Sequence, residues 1–268
     1  MAAGAVPMRR LTVTAAAAVA MAGLLLGMVG CKDGKGGAPG DTGKAPTAIE
    51  RFVKRIGSLQ GQALDDSLRH MAAGGPPDRA YAAYLLGNRF YTAAGDSALA
   101  RGWKEPAVVA LLDSAEARFM ASIAADSTLL EPMVNLGSLW DDRAEQTANQ
   151  IERQDCMTKA ESFYRLALRV DPKDEKARCN LGSLYLRQRK HPQAIAEFKT
   201  VLANDPKSAL AHYNMAIMFA ESKIYQEAVS EWELAVASDP DGDVGRRSAE
   251  NIKIVRDLMN APDPTLGH

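Results

Sequence analysis

Cysteine is nearly absent from this sequence, with 3 among 268 residues, and histidine is almost as scarce at 4. So few thiols cannot build a disulfide scaffold, and none stands at a zinc-ligand spacing. An excess of positive charge is missing as well. The formal balance is −1, whereas a nucleic-acid binder needs a concentrated Lys/Arg surface to displace counterions. The one dense basic run, RQRK at 187–190, reads as a solvated helix end. No phosphate-binding loop, zinc motif or paired-carboxylate arrangement stands out. The serines of DSA at 113–115 and of GSL at 57, 137 and 182 lack the strained strand-to-helix elbow that would activate them. Asp65–Asp66 and Asp141–Asp142 read as solvated faces. No enzyme is expected from such a chain. An enzyme of this kind would need titratable side chains converging in one closed pocket. What is present, 47% hydrophobic and 24% charged residues, is ordinary globular composition with enough apolar surface for one or two cores.

The first thirty residues differ from the rest. MAAGAVPMRR carries two positive charges, and LTVTAAAAVAMAGLLLGMVG follows without any charge, as in an export signal. Its end, LLLGMVGC, sets small Gly30 directly before Cys31, after which the chain turns polar. This resembles a bacterial lipobox, with Met28 in place of the usual Leu. The resemblance implies a signal peptide over 1–30 and a covalent lipid on Cys31. It needs no other cofactor. The alternative is an uncleaved anchor, because twenty apolar residues can also span a bilayer. Arg9 and Arg10 match a twin-arginine signal weakly. Acylation at Cys31 would hold the chain on a membrane, each buried methylene adding about 0.8 kcal/mol. Lys32 after the cysteine resembles an outer-membrane address, so the expected location is the periplasmic face of the outer membrane. Residues 31–46, Gly-rich and broken by prolines, cannot pack and read as a tether with an average reach of about 22 Å.

One phrase returns along the remainder: NLGSLW at 135–140, NLGSLY at 180–185 and, more loosely, NMAIMF at 214–219. A shift of 34 residues sets Leu181 over Met215, Gly182 over Ala216, Tyr185 over Phe219, His191 over Tyr225, Ala194 over Ala228, Phe198 over Trp232 and Pro206 over Pro240. Each type has a physical use: small residues let antiparallel helices approach, aromatics fill the space between them, and proline ends the second helix. Ile195, Phe198 and Leu202 fall on one helical face and are expected to be buried.

With these residues the chain resembles the tetratricopeptide repeat. The resemblance implies an all-α fold, a right-handed α-solenoid of antiparallel helix pairs with a terminal capping helix. Residues 174–207 and 208–241 give two near-standard copies, with Val201 in place of an expected Ala. Leu136, Gly137, Trp140, Ala160, Tyr164, Ala167 and Pro172 give a third over 130–173. There the inserted DDRAEQTANQIERQD has no Gly or Pro and is expected to lengthen both helices. Leu86, Gly87, Phe90, Ala115 and Phe119 suggest a divergent copy over 77–127. Its AAGDSALARGWKEP contains breakers and is expected to form a loop carrying Trp103, the indole folded back or offered to a partner. Residues 47–74 read as a helical hairpin, with Ile49, Phe52, Val53 and Ile56 on one stripe and Leu64, Leu68 and Met71 on the other. Residues 242–260 read as the cap, with Ile252, Val255 and Met259 on its apolar side. Within this arrangement Cys156 and Cys179 stand about 15 Å apart, too far to pair. His191 and His212 occupy packing positions.

In the resembled family the first helices of the repeats line a concave groove, implying Asn135, Ser138, Asn180, Ser183, Arg187, Tyr213, Asn214 and Ile217 as groove candidates. Asparagines there could hold a peptide backbone, or bond neighbouring helices within the stack. Val134, Cys179 and Tyr213 do not supply the lysines of the carboxylate-clamping subfamily. The expected function is a membrane-tethered scaffold for proteins or peptides of the cell envelope, with the bilayer reached through Cys31 and no nucleic-acid partner. A glycan or small-ligand receptor is the alternative, and it would need inward-facing aromatics such as Tyr213.

Overall fold

The computed structural model describes residues 59–75 and 77–260, together with Phe52, Lys54, Ile56 and Gly57. The export signal, Cys31 and the tether lie outside the described residues. Among those residues ten helices follow one another: α1 (Gly61–Ala72), α2 (Asp78–Arg101), α3 (Pro106–Ala125), α4 (Glu131–Gln146), α5 (Gln150–Val170), α6 (Glu175–Arg187), α7 (His191–Asn204), α8 (Ala209–Glu221), α9 (Tyr225–Ser238) and α10 (Asp243–Asn260). The protein is all-α, with helices packed in sequential pairs.

Local chemistry sets the ends of these helices. Pro106, Pro132 and Pro192 stand in the first turns of α3, α4 and α7, where a missing N–H costs nothing. Asp174 caps α6 by accepting from the Ala177 N–H at 2.6 Å, and Ser208, 34 residues on, caps α8 by accepting from the Ala211 N–H at 3.0 Å. The turns that precede them are Asx turns of the same pattern. Asp171 accepts from the Lys173 N–H at 2.8 Å and Asp205 from the Lys207 N–H at 2.9 Å.

The helices fall into two compact units, and the division lies inside α5, after Phe163. In the first, α1 packs on α2, α2 on α3 and α3 on α4, while α2 also meets α4. Contact of each helix with the next, and of α2 with α4 beyond it, is what a repeating stack requires. Tyr84, Tyr91, Leu112, Phe119, Leu136 and Leu139 form its main core, with Phe52, Leu68, Ala82 and Leu86 as a second cluster. Leu64, Met71 and Ile56 flank the latter, as their stripes predict. In the second unit α6 packs on α7, α7 on α8, α8 on α9 and α9 on α10, with α8 also meeting α6 and α10. Tyr213, Ala216, Ala228, Trp232 and Val255 are its core.

Several expectations change in detail. The predicted loop over AAGDSALARGWKEP is mostly helix: α2 continues to Arg101, and only Gly102 to Glu105 separate it from α3. Gly95 costs the helix about 1 kcal/mol, but Tyr91, Ala94 and Ala98 are all buried on one stripe, which outweighs it. Trp103 is partly buried against the first core, so the indole does fold back. In α7 the buried stripe is Ala194, Phe198 and Val201, with Ile195 and Leu202 at its margins. Met259 is exposed, whereas Val255 is fully buried. Among the described residues no helix is long and apolar enough to cross a membrane.

Candidate functional site

In the first unit Asn135 stands on α4, and its Nδ2 donates to Oδ1 of Asn88 on α2 at 2.6 Å. Asn88 was not among the residues the sequence singled out. Its signal is visible only after the fact: it follows Gly87 at the offset that Ser138 and Ser183 hold after their glycines. The bond uses one hydrogen of the Asn135 amide and one lone pair of Asn88. The Tyr84 hydroxyl lies against both amides and interacts with each. Asn135 is half-buried and Asn88 buried. Beside them the Tyr84 hydroxyl is enclosed without a bond of proper hydrogen-bond geometry. Burial pushes its pKa up to about 12, opposed by the two neighbouring amides. Ser138 is buried and engaged by a neighbour.

Further along the same helices the structure overturns one expectation. Asp141 and Asp142 are buried at 2% and 4% exposure, not solvated, because α4 is enclosed on nearly all sides from Pro132 to Ala144. The Tyr91 hydroxyl of α2 donates to Oδ2 of Asp142 at 2.5 Å. Next to them Arg143 donates to Asp113 at 2.6 Å and Glu116 at 2.9 Å on α3, and its guanidinium lies 4.6 Å from the centre of the Trp140 ring. Lys159 of α5 sits 3.7 Å from the centre of the same ring. Of the other expected acidic pair, Asp65 is ion-paired with Arg89 and Asp66 with Arg69.

In the second unit Asn180, Tyr213, Asn214 and Ile217 are buried, and Ser183 and Arg187 are half-buried. Asn214 is consumed at both ends of its amide: Oδ1 accepts from the Ser183 hydroxyl at 3.1 Å, and Nδ2 donates to the Leu210 carbonyl at 3.0 Å. Its bond to Ser183 joins α8 to α6, just as Asn135 to Asn88 joins α4 to α2. In both, the asparagine before the small residue reaches the offset just after the small residue of an earlier helix. Asn180 and Arg187 are engaged by neighbours. Tyr213 lies in the core at 0% exposure, with Asn251 Nδ2 donating to its hydroxyl at 3.4 Å. It offers no platform to a ligand.

A second contact also repeats at the 34-residue period. Arg178 donates to the Pro172 carbonyl at 2.8 Å and to Glu197 at 2.6 Å. His212 stands in its place, with Nε2 at 3.1 Å from the Pro206 carbonyl and Nδ1 at 2.7 Å from Glu231. His212 thus ties a turn to α9 in a structural role. Cys156 and Cys179 are both free and buried, and burial pushes both thiols up. No group of three or more His, Cys, Asp or Glu among the described residues could hold a metal ion. An open cleft of about 490 Å³ lies between α9 and α10, floored by Val236, Ala249 and Ile252. None of the groove candidates lines it.

Comparison with known proteins agrees with the repeat. Residues 179–243 match the family model described as tetratricopeptide repeat. No curated protein matches the sequence. Among solved structures, TTC0263, a thermophilic TPR protein of Thermus thermophilus, superposes with a TM-score of 0.50 at 16% identity, covering 70% of this chain and 99% of its own. A MamA fragment from Desulfovibrio magneticus has a TM-score of 0.39 at 16% identity, covering 66% and 97%. At such identities the likeness speaks to fold alone. Residues 179–243 therefore carry a tetratricopeptide-repeat segment, in a chain whose helices are arranged as in a tetratricopeptide-repeat structure.

Proposed function

We propose that the chain is an interaction scaffold held on an envelope membrane through a lipid on Cys31, where it gathers the proteins of a cell-envelope assembly. Tetratricopeptide repeats bind protein partners and are typically non-catalytic, which supports a scaffold over an enzyme. The lipobox-like LLLGMVGC and the Gly-rich segment after it support the tether, and Lys32 supports the periplasmic face of the outer membrane.

The observation that carries the protein-binding reading is the Asn88–Asn135 pair. Two amides joined by one hydrogen bond, with the Tyr84 hydroxyl against them, place a donor group and an acceptor side by side that a ligand could take over from Tyr84. That is the complement of a peptide group, whose carbonyl accepts and whose N–H donates. Asn214, with both ends of its amide taken, has no such capacity and serves the stack. The groove candidates that looked alike in sequence therefore divide by role.

The test is crosslinking in intact cells followed by co-purification, comparing the native chain with Asn88→Ala, Asn135→Ala and Asn214→Ala. Loss of a defined set of envelope proteins in the first two variants is the expected result, each losing about 1 kcal/mol of stability as the other amide of the pair is left without its partner. Asn214→Ala should lower stability by about the same 1 kcal/mol, since it strips a partner from Ser183, but should keep the crosslinks. Equal crosslinking by the native chain and the Asn88 and Asn135 variants would refute the assignment of the site.

A further inference from the structure

The α2–α4 seam of the first unit carries two polar contacts, Asn135 with Asn88 and Tyr91 with Asp142. Asn88 and Tyr91 are three residues apart on α2, and Asn135 and Asp142 seven apart on α4, so helical spacing sets both contacts on one face of each helix. We propose that Asp142, buried on this seam with Tyr91 as its donor, is a proton-operated latch: with its carboxyl protonated the two helices are held together, and with it ionised the cost of enclosing the charge exceeds what the Tyr91 bond returns, so the seam loosens and the adjoining Asn88–Asn135 pair releases its ligand. The second half of this inference rests on the peptide-binding reading of that pair.

The surroundings of Asp142 make the latch. A buried carboxylate is tolerated when cations or several donors satisfy it. Here the only hydrogen bond to it from a described residue is the Tyr91 hydroxyl. Its own helix contributes Asp141, Arg143 and Glu145, of which Glu145 repels it. The Arg143 guanidinium is spent on Asp113 and Glu116 of α3 and on the Trp140 ring, and Lys159 of α5 also lies over that ring. Tyr91 is the titratable group that reaches it from α2. Burial pushes the Asp142 carboxyl up to about 7, with the Tyr91 hydrogen bond opposing and Glu145 adding to the rise. A raised carboxyl gives the folded state more protons than the unfolded one between these limits. Its stabilising contribution is complete below the ordinary carboxylate range and is lost as pH climbs through about 7.

Hydrogen exchange on the full chain tests the latch without any ligand. The α2 and α4 amides are followed at pH 5.5 and 8.5, with rates corrected for intrinsic chemistry. In the native chain the opening population should rise about thirtyfold between these pH values. In Asp142→Asn, which keeps the neutral shape and still accepts from Tyr91, the rise should vanish. Tyr91→Phe provides a second reading should the Asn variant fail to fold. It removes the donor that favours ionisation, so the midpoint of the switch should move to higher pH. The same pH dependence in native and Asp142→Asn chains, or an unmoved midpoint in Tyr91→Phe, overturns the latch. A titrating latch with constant partner crosslinking at Asn88 and Asn135 overturns the link to binding. Absence of crosslinks at every pH defeats the peptide-binding reading, while the exchange data still decide the latch.

Discussion

The glycine in the repeated phrase is a spacing device. A Cβ added at Gly182 would collide with the edge of the Phe198 ring, and one at Gly87 would come within 2.6 Å of the Phe119 ring. Both rings are fully buried, so neither has room to withdraw. Gly182→Ala should therefore destabilise the chain by about 1–3 kcal/mol through overpacking, read as a lower urea midpoint at unchanged slope. A midpoint equal to that of the native chain would mean that α6 and α7 can part freely. Sequence alone exposed the pairing in the near-standard copies, because Gly182 and Phe198 return 34 residues on as Ala216 and Trp232. Asp142 was illegible for the opposite reason. Two adjacent acids on a helix look solvated, and only the enclosure of α4 on nearly every side removes them from water.

Among the elements, the ends of α6 and α8 break a local rule. Arg189 and Lys223, again 34 residues apart, adopt positive φ of 60° and 61°. They close their helices with the same bonds: Lys190 N–H to the Tyr185 carbonyl at 2.9 Å and Ile224 N–H to the Phe219 carbonyl at 2.8 Å. Such a left-handed closure is the usual place of glycine, which has no Cβ to strain. A side chain there costs about 1–2 kcal/mol. Arg189→Gly and Lys223→Gly should each raise stability by about 1 kcal/mol, less the added freedom of the unfolded chain, and thermal melts of the single variants check it. An unchanged or lower melting temperature in both would show that the long side chains stabilise these turns by other contacts. The length of α2 makes the same point in reverse, since Gly95 read as a breaker while the burial of Ala94 and Ala98 kept the helix intact.

For the whole molecule, anchorage is the question that bears most on function. If a lipid on Cys31 holds the chain, Cys31→Ser should move it from the membrane to the soluble fraction of fractionated cells. Retention in the membrane with the apolar segment still attached would replace the lipid by an uncleaved anchor.

The helix pairs, their turns and the small-to-aromatic packing were determined by the sequence, because each depends on residues a few positions or one 34-residue period apart. The roles of the asparagines were decided by tertiary structure. Asn135 and Asn214 occupy the same place in the phrase, yet one faces Asn88 and the Tyr84 hydroxyl, while the other is consumed by Ser183 and Leu210. What an amide can bind depends on what its neighbours in the stack leave unpaired, and those neighbours come from a helix that no local pattern names.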